Sequence, residues 1–275
     1  MPNPLDQLQG KPISEVLAFA EERVVAGGGS LEEALQVYRA VVAEPSIGEY
    51  LRGMVEQSVW ETEKKLGLHA PFFSQAGQDK YIAESLLDSK REGVFVEIGA
   101  FDGVRGSNCL YFEKFLGWQG LIVEPDANLA DTIRGHRTGA YECAALSDAD
   151  GEEDFVAVEA GFLQMGGLLR FYDEEILNAN VRSNPGHREA IRKIPVLRLA
   201  TLLERHSIKD VDYCSIDVEG AEEGVLSGFD FSKFNIHVLS VENNGHTEGA
   251  VTAIMKKNGY KLETILGSDE IWSRL

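Results

Sequence analysis

Apolar residues follow two different rhythms along this chain. Through residue 70 they recur at helical spacing. Leu31, Ala34, Leu35, Tyr38, Val41 and Val42 make one stripe, and Ile47, Leu51, Met54, Val55 and Val59 make another. From residue 72 onward, short continuous apolar runs alternate with amphipathic stretches. The runs predict strands at Val94–Ala100, Gly120–Glu124, Ala140–Leu146, Val211–Asp217, Ile236–Glu242, Tyr260–Leu266 and Glu270–Arg274. The stretches between them predict helices near Asn108–Leu116, Ala127–Gly135, Ala200–His206, Ala221–Ser227 and Glu248–Asn258. Strands that are apolar throughout and alternate with helices imply an α/β fold. Its sheet is expected to be mostly parallel, seven-stranded and covered on both faces. The last two strands are close enough to form a terminal hairpin.

Residues 1–70 read as a separate helical extension, with residues 71–275 as the main domain. Ser14 is expected to cap a first helix that ends at Gly27-Gly28-Gly29. Ser30 with Glu33, and Ser46 with Glu49, have the spacing of capping boxes. The three starts lie about 16 residues apart, close to half a tetratricopeptide period of ~34. A single such repeat makes no solenoid. Two readings follow: a cap packed on the main domain, or a surface for a homodimer or a protein partner.

Residues 151–198 interrupt the rhythm. Phe155–Glu159 and Ile194–Leu199 are expected to pair as extra strands. The stretch 160–193 between them holds Gly166-Gly167, Asn184-Pro185-Gly186, Arg182 and His187. An insertion this long beside the carboxyl ends of parallel strands reads as a substrate lid.

Composition narrows the function. The chain has 275 residues, 44% of them hydrophobic and 26% charged, which is enough for a substantial core. A net charge of −19 argues against nucleic acid and against anionic membrane surfaces. Cys109, Cys143 and Cys214 form no C-x-x-C pair and read as buried free thiols of a reducing compartment. No leader and no spanning run is evident, so a cytoplasmic setting is expected.

The chemistry concentrates at strand ends. Val94–Gly103 reads as strand, glycine turn and helix start, a turn that lets backbone approach a ligand. Gly99 and Gly103 lack the central glycine of G-x-G-x-x-G, which disfavours a dinucleotide oxidoreductase. Glu97, two places before Gly99, is placed to hold an ammonium group. S-adenosylmethionine therefore fits better than NAD. Glu124 ends the second strand, where a carboxylate can accept from both ribose hydroxyls. Ala144–Asp148, with Ala145 central, would border the adenine. Asp217 and Glu219 close the fourth strand, and Glu242, Asn243 and His246 follow the fifth. Asp217, Glu242 and Asn243 are oxygen donors that suit Mg²⁺; the other reading is carboxylates that position a hydroxyl without metal.

Several segments together resemble the FkbM-type S-adenosylmethionine-dependent methyltransferases. They are Ser74-Gln-Ala-Gly-Gln-Asp79, Phe95–Gly103, Ser107-Asn108, Gly117–Pro125 and Ile216-Asp-Val-Glu-Gly-Ala-Glu222, and the likeness spans about 74–270. The resemblance implies a class I, Rossmann-like methyltransferase fold and methylation of hydroxyls on sugars, glycans or polyketide products. It implies a cofactor set of Gln78, Glu97, Gly99, Ala100, Gly103, Asn108, Glu124, Ala145 and Asp217. Gln75 and Gln78 would close over the cofactor. Some related macrolide-sugar enzymes bind Mg²⁺ at the positions of Asp217, Glu242 and the next residue, here Asn243 rather than a carboxylate. Asp217, Glu219, His246 and His187 are the candidate bases for the acceptor proton. The rival from another class is a non-catalytic interaction protein that keeps the fold.

Overall fold

The computed structural model describes residues 11–25, 30–171, 177–243 and 248–275. Three helices come first: α1 (Ile13–Val25), α2 (Leu31–Val42) and α3 (Glu49–Lys65). The short α4 (Gln78–Tyr81) runs into a wider turn of helix over Ile82–Leu86, a stretch without a sequence prediction. Then come β1 (Val94–Ile98), α5 (Leu110–Leu116), β2 (Gln119–Val123), α6 (Ala130–His136), β3 (Ala140–Glu142) and β4 (Ala145–Leu146). The insertion supplies β5 (Gly151–Ala160), β6 (Gly167–Leu168) and β7 (Arg188–Leu197). The chain closes with α7 (Leu199–Arg205), β8 (Asp210–Ile216), α8 (Glu222–Ser227), β9 (Asn235–Glu242), α9 (Ala250–Lys257), β10 (Tyr260–Leu266) and β11 (Asp269–Arg274).

Seven strands form one sheet in the order β10-β11-β9-β8-β1-β2-β3. Its β9-β8-β1-β2-β3 part is parallel, and β11 runs antiparallel to both β9 and β10. This is the expected sheet with its terminal hairpin. Side chains alternate across it, as the two-residue period of a strand requires. Val96, Ile98, Leu121 and Val123 pack with α7, α8 and α9, whereas Phe95 and Ile122 pack with α5 and α6.

The expected third strand, Ala140–Leu146, is two strands. β3 pairs with β2 only as far as Val123↔Glu142, where β2 ends. Past that point the backbone has no partner in the main sheet. It bends, and Ala145-Leu146 pairs with Val196-Leu197 instead. A second sheet results, in the order β4-β7-β5-β6. Its long arms β5 and β7 pair from Gly151↔Val196 to Ala160↔Arg188, so the two expected segments lie in paired strands but out of the expected register: Phe155–Val158 faces Glu189–Arg192, and Ile194–Val196 faces Gly151–Glu153.

The helix starts differ in detail from their sequence signals. Ser30 caps α2 as expected, its hydroxyl oxygen accepting from Glu33 N while its O–H donates to Glu32. Ser46 caps nothing; Gly48 precedes α3, and Ser46 donates to Glu44. Ser14 lies inside the first turn of α1, where the Pro12 carbonyl accepts from Glu15 and Val16. The expected end of that helix at Gly27–Gly29 lies outside the described residues.

Helix α3 lies against the β10–β11 hairpin. Gly267 N donates to Gly53 O at 3.0 Å, and a side chain at Gly53 would collide with Ile265 and Gly267. Trp60 Nε1 donates to Ser74 O, and its ring stacks on His69. Among the described residues no helix is long and apolar enough to cross a membrane.

Candidate functional site

A cavity of about 390 Å³ opens at the carboxyl ends of β1, β2, β4 and β8, with residues 163–168 of the insertion on its outer side. Ligands of parallel α/β sheets bind at this end.

Gly99 must be glycine, though not for the reason its sequence suggests. Its φ is +80°, and an added Cβ would lie 1.7 Å from Asp217 O. The β1 and β8 ends touch here, and Asp217 N donates to Ile98 O at 3.1 Å. The two glutamate positions next to this contact behave differently. Glu97 is buried and both its oxygens are engaged. Oε1 accepts from Ser107 Oγ at 2.7 Å and Cys109 N at 3.1 Å, and Oε2 accepts from Arg137 Nη1 at 2.6 Å. Its carboxylate shares the Arg137 guanidinium with Glu113, and Glu97 also borders the cavity.

Glu124 stands where its strand predicts. Its oxygens accept from Phe101 N and Asp126 N, each at 2.9 Å, which fixes the carboxylate and leaves further lone pairs for a ligand. Phe101 reaches this bond through a φ of +48°, a strained value for a side-chain-bearing residue. Burial first, and then the nearby carboxylates Asp126 and Asp217, raise the Glu124 pKa to about 7 against the pull of the two amides.

A further part of the lining is acidic. Asp217, Glu219 and Glu242 border the cavity. Oxygens of Asp217, Glu222 and Glu242 lie within 4.8 Å of one another. Burial, opposed by a hydrogen bond with Glu242 and reinforced by Glu97, pushes Asp217 up to about 6; burial and then repulsion from neighbouring carboxylates push Glu219 to about 9 and Glu222 to about 7, and raise Glu242 well above its ordinary value. Glu222 Oε1 accepts from Val218 N at 2.9 Å and Gly220 N at 3.3 Å, so it also shapes the loop that carries Glu219. That loop is bent tightly, with φ of +55° at Glu219 and +100° at Gly220.

Ala100, Asn108 and Ala145 border the cavity as expected. Gln78 and Gly103, both expected at the cofactor, are placed elsewhere. Gln78 spends its amide on Ala76 N and Asp269 Oδ2, and Gln75 takes the place at the cavity. Gly103 lies outside the lining; its φ of +78° and its closeness to Arg137 and Ile133 explain the glycine. Asn243 Nδ2 donates to Glu270 Oε1 at 2.7 Å, and Glu222, which had no sequence assignment, brings a carboxylate beside those of Asp217 and Glu242. His187 pairs with Glu189 and is not part of the lining. His246 lies outside the described residues. Arg137 and Glu222 went unassigned from sequence. Glu222 closes the quoted Ile216–Glu222 run, and a buried Glu97 implied some cation.

The sheet order, with a glycine turn after β1 and an acidic residue after β2, defines a class I methyltransferase fold. A family model, "Methyltransferase FkbM domain", matches residues 97–262, more than half of the chain. The chain belongs to this family. Residues 1–96 lie outside that match. No curated protein matches it. Among solved structures it is similar to a TehB-like SAM-dependent methyltransferase from Corynebacterium glutamicum ATCC 13032 Kitasato. That pair shares 13% identity over 79% of this chain and 95% of the other, with a TM-score of 0.38. It is also similar to the O-methyltransferase from Bacillus cereus in complex with SAH, at 14% identity over 95% and 98% of the two chains and a TM-score of 0.34. The sheet order and the family match carry the assignment; these distant likenesses do not.

Proposed function

We propose that the chain is an S-adenosylmethionine-dependent O-methyltransferase. Its acceptor is a hydroxyl of a sugar, a glycan or a polyketide-type small molecule. One observation carries the reading: Gly99, Ala100, Glu124 and Ala145, placed for a cofactor, and the carboxylates Asp217, Glu219 and Glu242 line one cavity at the carboxyl ends of the parallel strands. Glu124 would take the ribose hydroxyls, and the backbone from Gly99 to Phe101 would pass along the methionine part. When bound, S-adenosylmethionine supplies a methyl group already activated by a positively charged sulfur. The protein's share is to orient the acceptor in line and to exclude water. Asp217 or Glu219 accepts the hydroxyl proton. The insertion 160–193 serves as a lid; Arg170 pairs with Asp148 and Glu153 at its base, and Leu163 and Met165 face the cavity.

The acidic wall fits a hard divalent cation, because three carboxylates converge there. Asp217, Glu222 and Glu242 would hold Mg²⁺, which would supply positive charge beside the acceptor oxygen. The free thiols, with Cys109 and Cys214 fully buried, support a cytoplasmic setting.

The test is incubation with S-adenosylmethionine and a panel of glycosides, free sugars and polyketide lactones, read by mass spectrometry. A product heavier by one methylene, formed together with S-adenosylhomocysteine and lost in Asp217→Ala, supports the reading. Methylation of amines alone would overturn the O-methyl assignment.

A further inference from the structure

The helical extension reaches the active end of the sheet through one buried carboxylate. Glu270 on β11 is fully buried. Its Oε1 accepts from Tyr50 Oη at 2.6 Å, Asn243 Nδ2 at 2.7 Å and Thr252 Oγ1 at 2.8 Å. Its Oε2 accepts from Trp272 Nε1 at 3.1 Å. Among the described residues no cation pairs with it. A buried carboxylate without a cation persists only if donors surround it, and bonds to such a charge are short and directional. Glu270 therefore ties α3, α9 and β11 to the residue that follows β9.

That residue is Asn243, and the one before it is Glu242. Glu242 ends the β9–β11 ladder opposite Asp269, and its Oε1 accepts from Ser268 Oγ at 3.4 Å; one residue further on, Asn243 N donates to Ser268 O and its side chain donates to Glu270 and to Tyr50 Oη. Glu242 borders the cavity beside Asp217. Tyr50 and Glu270 both lie outside residues 97–262, so the family pattern does not contain this link. Burial, reinforced by Glu270, raises the Tyr50 pKa to about 12, so the hydroxyl remains a donor across the working range.

Building on the methyl-transfer reading, we propose that Tyr50 is a positioning residue. Through Glu270 it fixes Asn243, and so aims Glu242 at the point where the methyl group is transferred. The extension is then a working part of the site. If Tyr50 is replaced by phenylalanine, Glu270 keeps three donors and the fold survives. The carboxylate can then turn about its last bond, and Asn243 follows it.

Two cofactor analogues separate this role from plain packing. S-adenosylhomocysteine is neutral at sulfur. Sinefungin carries an ammonium-bearing carbon at the place of the sulfonium, so it reads the carboxylates at the transfer point. The full-length protein and Tyr50→Phe are titrated with both by calorimetry, after thermal melts confirm folding. The wild type is expected to prefer sinefungin by about tenfold, the worth of one well-placed charged contact. Tyr50→Phe is expected to bind S-adenosylhomocysteine within about twofold of wild type and to lose most of that preference. Asn243→Ala breaks the same link from its other end, should give the same pattern, and serves alone if Tyr50→Phe fails to fold. An unchanged preference in the variants, or equal weakening of both ligands, would overturn the positioning role while leaving the cofactor reading intact. A wild type that binds neither ligand would instead remove the cofactor reading, and this inference with it.

Discussion

Arg137 Nη1 lies 2.6 Å from Glu97 Oε2, with 0% and 3% of the two side chains exposed. Its Nε lies 2.5 Å from Glu113, and Nη1 also donates to Gly103 O. One guanidinium from the end of α6 thus holds the last turn of β1, the glycine turn and α5 together. Arg137→Met would leave two buried carboxylates without a cation. The expected loss is about 3–5 kcal/mol of folding stability, measured by urea denaturation. A loss below about 1 kcal/mol would mean that the ion triad is not what braces the turn.

At Gly99 the neighbour is backbone, which cannot rotate away. Gly99→Ala should cost about 3 kcal/mol or more, because it adds both left-handed strain and a collision with Asp217 O. Gly135→Ala is the control, since open space surrounds that position and stability should change little. Equal stabilities for the two variants would contradict the close contact of β1 and β8.

Glu124 makes stability depend on pH in a definite direction. Its folded-state pKa is raised to about 7 from an ordinary value of 4.5, chiefly by burial. Its contribution is therefore fully present below pH 4.5 and is lost as pH rises through 7. Relative to wild type, Glu124→Gln should gain stability between about pH 5 and 8, as shown by melting curves across that range. The same variant should bind S-adenosylhomocysteine about tenfold more weakly at pH 8, through loss of charged hydrogen bonds to ribose. Parallel stability–pH curves would refute the first expectation, and an unchanged affinity the second.

Cation binding at the acidic wall should raise the melting temperature. Millimolar Mg²⁺ is expected to raise Tm by a few degrees and EDTA to reverse it, since a ligand that binds only the folded state stabilises it. Glu222→Gln and Glu242→Gln should abolish the shift. A shift kept in Glu222→Gln would remove Glu222 from the ligand set.

The sheet was legible because its central strands, covered on both faces, are apolar along most of their length, as Val94–Ile98 and Gln119–Val123 show. Ala140–Leu146 misled because its two halves, one half-buried and one buried, belong to different sheets, and periodicity carries no record of which partner a strand meets. Glu124 was legible because a charge that ends an apolar run and precedes Pro125 must sit at a strand tip. Arg137 was not, since the residue between a helix and a strand has no pattern of its own. Glu222 joins Asp217 and Glu242 because the loop after β8 folds back through the left-handed residues Glu219 and Gly220. That reversal brings a residue five places from Asp217 beside it, an event that leaves no signal in spacing.

Calorimetric titration of the full-length protein with S-adenosylhomocysteine tests the central claim most directly. One site of micromolar affinity, weakened in Glu124→Gln, is the expected result. No binding at any temperature, with Mg²⁺ present or with EDTA, would contradict it and would leave the cavity between Glu124 and Asp217 without its proposed ligand.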